Sequence, residues 1–201
     1  MKFPNLLDLK TQGLALGLAA CAALGACTGV PMRSIPKLMQ LNQQLLEANP
    51  AEFSVALQVD ARMVPPLGAV PQLQIKIAPK EAGAFEVIDK KLPMQLAVSS
   101  TAALGLDAPA KDRRWLIYSL PPATQAELKQ IQDFMKTVRA GPQPKGGSLS
   151  VGVEQESMAS KDPALANTRW ETWLQTNRRD GFFEVWSGTP AQLQKMAGEK
   201  R

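Results

Sequence analysis

The sequence predicts an α+β fold, in which a mostly antiparallel sheet of about seven strands packs against one long amphipathic helix over residues 124–140. A short helix is expected before the strands. Two patterns lead to this prediction. Several short runs alternate apolar with polar side chains, which is typical of strands with one buried face. Over 124–140 the apolar side chains instead recur at helical spacing, which is typical of an amphipathic helix.

The short N-terminal helix is predicted from an apolar stripe near the start of the chain. Asn49-Pro50 ends the pattern, because a proline disfavours helical backbone at the residue before it. We interpret the stripe as core packing rather than as a docking face for a partner or a membrane. It consists of Ile35, Leu38, Leu41 and Leu45, widened by Met39 and Leu46.

Half-buried strands are predicted wherever apolar and polar side chains alternate. The run 115–120 differs from the others, because it is apolar on both faces and predicts a central strand. Breaks between the runs fall at Pro65-Pro66, at Gly83 and over 105–109. The alternating runs are 53–59, 73–77, 85–87, 92–98 and 149–153.

The long helix has the clearest local signals. Pro121 and Pro122 stop the preceding strand, and Thr124 with Glu127 matches a capping box. Gly141-Pro142 ends the helix. Its apolar face carries Leu128, Ile131, Met135 and Val138, and Lys129, Gln132, Asp133 and Lys136 are expected to face solvent.

The first 26 residues resemble a signal peptide, with a weakly basic start and an apolar run over 13–26. That run is too short for a transmembrane helix, which needs about 20 apolar residues. It ends in Leu24-Gly25-Ala26-Cys27, which resembles the lipobox of bacterial lipoprotein precursors. Leu18-Ala19-Ala20-Cys21 is a rival site. We prefer Cys27, because modification at Cys21 would leave an apolar core of roughly eight residues, at the low edge of the usual range.

The lipoprotein resemblance implies a covalent membrane anchor. In such precursors the sulfur, here of Cys27, carries diacylglycerol, the preceding residues 1–26 are removed, and the new amine is acylated. An aspartate in the position of Thr28 commonly retains Gram-negative lipoproteins in the inner membrane, so its absence implies the outer membrane, with the protein facing the periplasm. The rest of the chain resembles small Gram-negative envelope lipoproteins of unassigned role. We therefore expect a lipidated tether over 27–36 and one globular domain over 37–201.

Few residues are available for catalysis or metal binding. The chain has no histidine and two cysteines, which excludes Ser-His-Asp and Cys-His nucleophiles and Cys/His zinc sites. The net charge is +5, but the cations are scattered and do not indicate nucleic-acid binding. We therefore expect no cofactor and no metal. Glu154 and Glu156 remain as a possible catalytic carboxylate pair, for which solvated strand charges are the favoured interpretation.

The C-terminal region predicts a hairpin with an aromatic outer face. Asp180-Gly181 is a two-residue hairpin signal between strands at 169–176 and 182–187, and it would place Thr176 opposite Val185 and Gln175 opposite Trp186. Thr172, Leu174, Phe183 and Val185 would then face the core. Trp173, Phe182 and Trp186 would point outward beside Glu171 and Glu184, and they form the candidate binding patch. The alternative is that another element covers these aromatics as core.

Two functions are compatible with these observations. The favoured one is a non-catalytic lipoprotein that faces the periplasm and binds a partner protein or an apolar ligand in the cell envelope. The alternative is a carboxylate-dependent enzyme acting on cell-wall glycan. A cleft with two carboxylates roughly 5 to 10 Å apart would favour the enzyme, and an aromatic patch without such a pair would favour the binding protein.

Overall fold

A computed structural model describes residues 30–97, 105–141, 146–159 and 162–198. These residues form an α+β fold with eight strands in two antiparallel sheets and three α-helices. The α+β prediction is confirmed, but the expectation of one sheet with about seven strands is wrong. The strands are β1 (Ser54–Asp60), β2 (Gln72–Pro79), β3 (Ile88–Pro93), β4 (Gln95–Leu96), β5 (Arg113–Ser119), β6 (Gly147–Glu154), β7 (Trp170–Gln175) and β8 (Phe183–Gly188). The helices are α1 (Ile35–Gln44), α2 (Pro122–Ala140) and α3 (Pro190–Gly198).

The larger sheet has five strands in the order β4-β5-β1-β7-β8, and the smaller has three in the order β3-β2-β6. The central strand β1 is covered on both faces, since Ala56 and Gln58 are buried as well as Val55 and Leu57. The inward side chains of β1 and β2 belong to one buried cluster, so the main core lies between the sheets. The strand covered on both sides is therefore β1, whereas the run 115–120 lies in β5 beside the two-residue strand β4.

The predicted strand 92–98 is divided between the two sheets. β3 ends at Pro93 in the smaller sheet, and β4 begins at Gln95 in the larger one. Between them the Met94 amide donates to the Pro71 carbonyl at 3.1 Å. Leu92 and Met94 are both buried, so the alternation of apolar side chains continues across the change of sheet and does not reveal it.

The predicted strand at 85–87 is wrong. The chain turns there, and β3 begins only at Ile88. Phe85 instead packs edge-to-face on Phe134 of α2, with ring centroids 6.3 Å apart. This aromatic contact explains an apolar residue at 85 without a strand.

Helix α2 confirms the predicted apolar face, with Leu128, Ile131 and Met135 buried and Val138 half-buried. Gln132, expected to face solvent, is buried instead. Its side-chain amide donates to the carbonyls of Leu45 and Ala48, both at 2.8 Å. An amide that finds such partners can be buried at low cost, and periodicity alone does not show those partners.

The start of α2 differs from the prediction. The helix begins at Pro122, whose ring fixes φ near the helical value and whose missing N–H would be unpaired in the first turn anyway. The predicted capping box is therefore wrong. The Thr124 hydroxyl donates to the Pro93 carbonyl at 3.3 Å, and Glu127 forms an ion pair with Lys90 at 3.1 Å. Both side chains hold α2 against β3 rather than closing the helix end.

Helix α1 forms where the short helix was predicted. Leu41 is buried, and Leu38 packs against the core. The leucines that follow the helix, Leu45 and Leu46, are buried as well. Ile35 and Met39 are exposed, at 44% and 73%, so the apolar stripe is narrower than predicted.

Helix α3 was not predicted, although its sequence carries a capping box. The Gln192 backbone amide donates to the Thr189 hydroxyl at 3.3 Å, and the Thr189 backbone amide donates to the Gln192 side-chain oxygen at 2.9 Å. Leu193 is buried, and Met196 packs against the core. The spacing Thr-x-x-Gln is thus the signal that sequence reasoning missed.

Residues 30–36, expected to belong to a tether, pack on the fold. A 3-10 turn over Met32–Ser34 precedes α1, and Ser34 is buried. The Arg33 guanidinium donates to the carboxylate of Glu184 in β8. These contacts hold the first described residues against the larger sheet. Among the described residues, no helix is both long enough and apolar enough to cross a bilayer.

Candidate ligand-binding site

An apolar cavity of about 280 Å³ lies between the edges of the two sheets. β6 is an edge strand of the smaller sheet and β8 an edge strand of the larger, and helices α1 and α3 complete the walls. We call this space the inter-sheet cavity. Its apolar lining includes Leu38 and Leu41 of α1, Val151 and Val153 of β6, Val185 and Trp186 of β8, and Leu193 and Met196 of α3.

Gln155, Thr172 and Glu156, which line the inter-sheet cavity, are already hydrogen-bonded, whereas the ring nitrogen of Trp186 is buried without a partner among the described residues. The Gln155 side-chain nitrogen lies 2.8 Å from the Thr172 hydroxyl oxygen, and that hydroxyl lies 2.9 Å from the Gln155 side-chain oxygen. The Glu156 carboxylate accepts from the Gln155 backbone amide at 3.1 Å. Because buried polar groups that have partners need none from a ligand, the cavity suits an apolar molecule.

A second space of about 290 Å³ lies beside the inter-sheet cavity along α1. Both spaces are lined by Leu38, Leu41 and Val151, and the second extends to Met39 and Leu149. Met39 is largely exposed, so this end opens to solvent. We call the two adjoining spaces, which lie side by side along α1 and β6, the apolar groove.

A shallow depression with two arginines lies on the outer face of the larger sheet, where Arg33 approaches Trp173, and Val30 at the sheet edge lines both it and the inter-sheet cavity. We call it the basic rim. Arg33 and Arg169 remain largely exposed, although Arg33 pairs with the buried carboxylate of Glu184. Arg169 pairs with Glu171 at 2.9 Å, and Glu171 also accepts from Arg113 at 3.0 Å. Arg33, Arg169 and Arg113 carry three positive charges, and Glu171 and Glu184 carry two negative ones. The net charge of this cluster is therefore +1.

The predicted register of the C-terminal hairpin is wrong. Trp186 lies opposite Thr172 rather than Gln175, which is a displacement of three residues. A bulge between Thr172 and Trp173 then places Glu184 opposite Trp173. The prediction that Phe183 shares the core face with Leu174 is confirmed, because these residues are paired.

The cause of the new register is a longer loop, over 176–182, in place of a two-residue turn. Inside it the Asp180 amide donates to the Asn177 side-chain oxygen at 2.7 Å. Glu52 anchors the loop from outside, since its carboxylate accepts from the Arg178 amide at 2.9 Å. Its backbone carbonyl accepts from the Gln175 side chain at 3.0 Å. Partners more than 100 residues away in the sequence therefore set the hairpin.

The structure does not bring the three residues of the predicted patch together. Trp186 lines the inter-sheet cavity. Trp173 lies on the opposite face of the larger sheet, where its ring packs edge-to-face on Trp115 and lies 5.9 Å from the Arg33 guanidinium. Phe182 precedes β8 and is buried. Only Trp186 therefore contributes to the candidate site.

The remaining predicted residues are Cys27 and the carboxylate pair Glu154 and Glu156. Cys27, the predicted lipid-attachment residue, lies outside the described residues, as does its rival Cys21. Glu154 forms an ion pair with Lys91 at 2.8 Å, and this hydrogen bond raises the pKa of Lys91 above its ordinary value. Glu156 lines the inter-sheet cavity, so the two carboxylates have different surroundings. Within the described ranges, no group of three or more metal-ligating side chains could hold a metal ion.

Sequence reasoning missed the inter-sheet cavity itself. Its apolar lining residues come mainly from α1, β6, β7, β8 and α3, and each is typical of ordinary core in its own segment. The space exists because β6 and β8 are both edge strands, which follows from strand order and not from the sequence pattern.

Comparison of the chain with protein-family models, with characterised proteins and with solved structures finds no match in any of the three.

Proposed function

We propose that this protein is a non-catalytic lipoprotein of the bacterial envelope, anchored through Cys27 in the outer membrane and facing the periplasm. Of the two kinds of partner considered, a protein or an apolar ligand, the ligand has the better structural support. The observation that carries this choice is the inter-sheet cavity, with aliphatic and aromatic walls contributed by five helices and strands. Such concave apolar sites are the usual form of a small-molecule site.

The energetics favour an apolar ligand. Each methylene group that leaves water for an apolar site contributes about 0.8 kcal/mol. The Gln155–Thr172 pair needs no ligand partner, so a hydrocarbon can occupy the cavity without leaving these groups unpaired. The Trp186 ring nitrogen, which has no partner among the described residues, gains none from a hydrocarbon, so binding is driven by apolar burial.

The glycan-cleaving alternative has less support. Glycoside hydrolysis uses two carboxyl groups on either side of the scissile bond, roughly 5 to 10 Å apart. Among the described residues that line the inter-sheet cavity, Glu156 is the sole carboxylate, and Glu154 is held by Lys91. The geometry thus supports binding over hydrolysis.

Photocrosslinking in cells tests the proposal. Cells that produce the full chain are fed palmitate with a terminal diazirine, illuminated, and the labelled peptides are located by mass spectrometry. We expect crosslinks in β6, β8 or α3, and a loss of at least tenfold in Val151→Trp, whose ring would fill the cavity. The exposed site Val87→Trp is the matched control and should keep them. If the wild type gives no crosslinks, or if Val151→Trp and Val87→Trp give equal crosslink yields, the proposed ligand site is wrong.

The anchor is tested by the same label, which should also be attached covalently at Cys27. Cys27→Ala should lose this attached label, because the thioether requires its sulfur. Cys21→Ala should keep it. The reverse pattern would show that Cys21 is the lipidated residue and that the mature chain begins earlier.

A further inference from the structure

We infer that the ligand is an anionic phospholipid of the anchoring membrane, with one acyl chain in the inter-sheet cavity and its phosphate at the basic rim. This inference rests on the proposed function and names the ligand class. The argument depends on three features: the shape of the groove, the position of the anchor and the charge beside the mouth.

The shape of the groove suits one flexible hydrocarbon chain. The two spaces, of about 280 and 290 Å³, lie side by side and share Leu38, Leu41 and Val151 in their walls. Either space alone is below the roughly 300 Å³ at which sites for compact drug-sized ligands begin. Two small adjoining apolar spaces therefore fit a flexible acyl chain better than they fit a compact ring system.

The position of the anchor places the groove at the membrane. Val30 lines the inter-sheet cavity and follows the proposed lipid attachment at Cys27 by three residues. A fully extended chain spans at most about 3.5 Å per residue, so the Val30 end of the cavity lies within roughly 10 Å of the Cys27 backbone. The acyl chains closest to the mouth are then those of the surrounding membrane lipids.

The basic rim supplies charge complementarity for the lipid phosphate. It adjoins the cavity at Val30, and Arg33 and Arg169 expose 70% and 66% of their side chains. With Arg113, which shares Glu171 with Arg169, the three arginines and two glutamates carry one net positive charge. Guanidinium groups bind phosphate oxygens through paired hydrogen bonds, and the net positive charge favours an anionic headgroup over a zwitterionic one, whose ammonium group it repels.

Quenching of tryptophan fluorescence by brominated lipids tests the position of the acyl chain. The full lipidated chain is reconstituted in phosphatidylcholine vesicles that contain a tenth of brominated phosphatidylglycerol. We expect bromine-dependent quenching that is reduced at least twofold in Trp186→Phe and retained in Trp173→Phe, because the two rings lie on opposite faces of the sheet. Quenching that Trp186→Phe does not reduce would overturn the inference.

The headgroup is tested with variants that leave the core untouched. At equal bromine content, brominated phosphatidylglycerol should quench at least twice as strongly as brominated phosphatidylcholine. Arg169→Gln should remove this preference, and Arg139→Gln, an exposed cation at the end of α2, should keep it. Equal quenching by both lipids in the wild type would overturn the anionic specificity.

Failure of this inference is distinguishable from failure of the proposed function. One outcome of the palmitate experiment is a crosslink between a cavity peptide and the Cys27 peptide. In that case the cavity holds the protein's own acyl chain, and the phospholipid inference is overturned. The proposed apolar site would stand in that case. If neither palmitate nor brominated lipid reaches the cavity, both proposals fail together.

Discussion

Helix α2 and the β7–β8 hairpin both present apolar side chains to the core, but those at the centre of the helix face are more completely enclosed than those of β8. Leu128 and Met135 of α2 are buried at 0% and 2% exposure. Val185 and Trp186 of β8 are half-buried and line an open cavity. The difference follows from position, because β8 is an edge strand with no further strand beside it.

This contrast indicates where apolar surface is structural and where it is free to bind. At α2, hydrogen bonds to β3 and to the residues after α1 hold the apolar face of the helix against the core. At the hairpin, α1 and α3 cover the edge only in part. A well-packed core is destabilised by any change of volume, whereas a cavity wall tolerates an inserted group. The site therefore lies where the packing is incomplete.

The largest expected effect is at the enclosed region. Ile131→Asp places a charge at a side chain that is 7% exposed, and we expect at least about 4 kcal/mol of destabilisation. Lys136→Asp on the opposite face should cost no more than about 1 kcal/mol, since it loses an exposed ion pair with Glu47. Thermal unfolding of both variants measures this. Equal melting temperatures would mean that α2 is not enclosed as described.

The same contrast explains how much of the fold could be predicted from the sequence. The apolar face of α2 depends on helical spacing alone, so the sequence predicts it correctly. Local alternation likewise predicts the strands β1, β2 and β6 to within two residues at each end, but not that β1 is buried on both faces. The division into two sheets was missed, because the chain changes sheet at Met94 through a bond to Pro71. A contact 23 residues away leaves no trace in a local pattern.

The candidate site was predictable only in part. Trp186 was singled out, but on the wrong face, because Asp180-Gly181 predicts a tighter turn than the one that Glu52 and Asn177 stabilise. Trp173 and Phe182 were singled out for the same reason and lie elsewhere. Edge strands such as β6 and β8 follow from strand order, which local spacing does not determine.

The second prediction tests the polar contact that encloses α2. Gln132→Leu leaves the carbonyls of Leu45 and Ala48 without their partner, and we expect a loss of about 1 to 3 kcal/mol. Gln130→Leu, one position before the apolar face and exposed, is the matched control and should change stability by less than about 0.5 kcal/mol. Chemical denaturation of both proteins provides the measurement. A Gln132→Leu protein as stable as the control would show that these carbonyls find other partners.

The third prediction concerns the long-range contact at the hairpin. Glu52→Ala removes the acceptor for the Arg178 amide, at an expected cost of about 0.5 to 1.5 kcal/mol. Hydrogen exchange at Arg178 should become faster, while exchange in α2 stays unchanged. Glu86→Ala, an exposed carboxylate elsewhere, should alter neither. Unchanged exchange in the Glu52 variant would mean that Asn177 and Asp180 hold the loop without it.

The smallest expected effect is at Asp60, where the contact is as local as those within α2. Hydrogen bonds from the Arg62 side chain, at 2.8 and 2.9 Å, and from its backbone amide, at 2.9 Å, stabilise the charged carboxylate. They lower the pKa of Asp60 from 3.8 to about 2, the side-chain bonds being the larger cause. Since the folded pKa lies below the unfolded one, this stabilisation is fully present above the ordinary pKa. It is lost as the pH falls through the range between the two values.

An NMR titration of the Asp60 carboxyl group checks this directly. We expect a pKa near 2 in the wild type and a rise toward the ordinary value of 3.8 in Arg62→Gln, because the principal donors are then removed. The melting temperature of that variant should also vary less steeply with pH between about 4 and 2, since one carboxylate no longer differs between the folded and unfolded states. Both partners lie two residues apart, so variants at the distant hairpin should leave the Asp60 pKa unchanged. A shift of that pKa in Glu52→Ala would mean that the β1 end and the hairpin loop are coupled, against the separation into local and long-range contacts argued above.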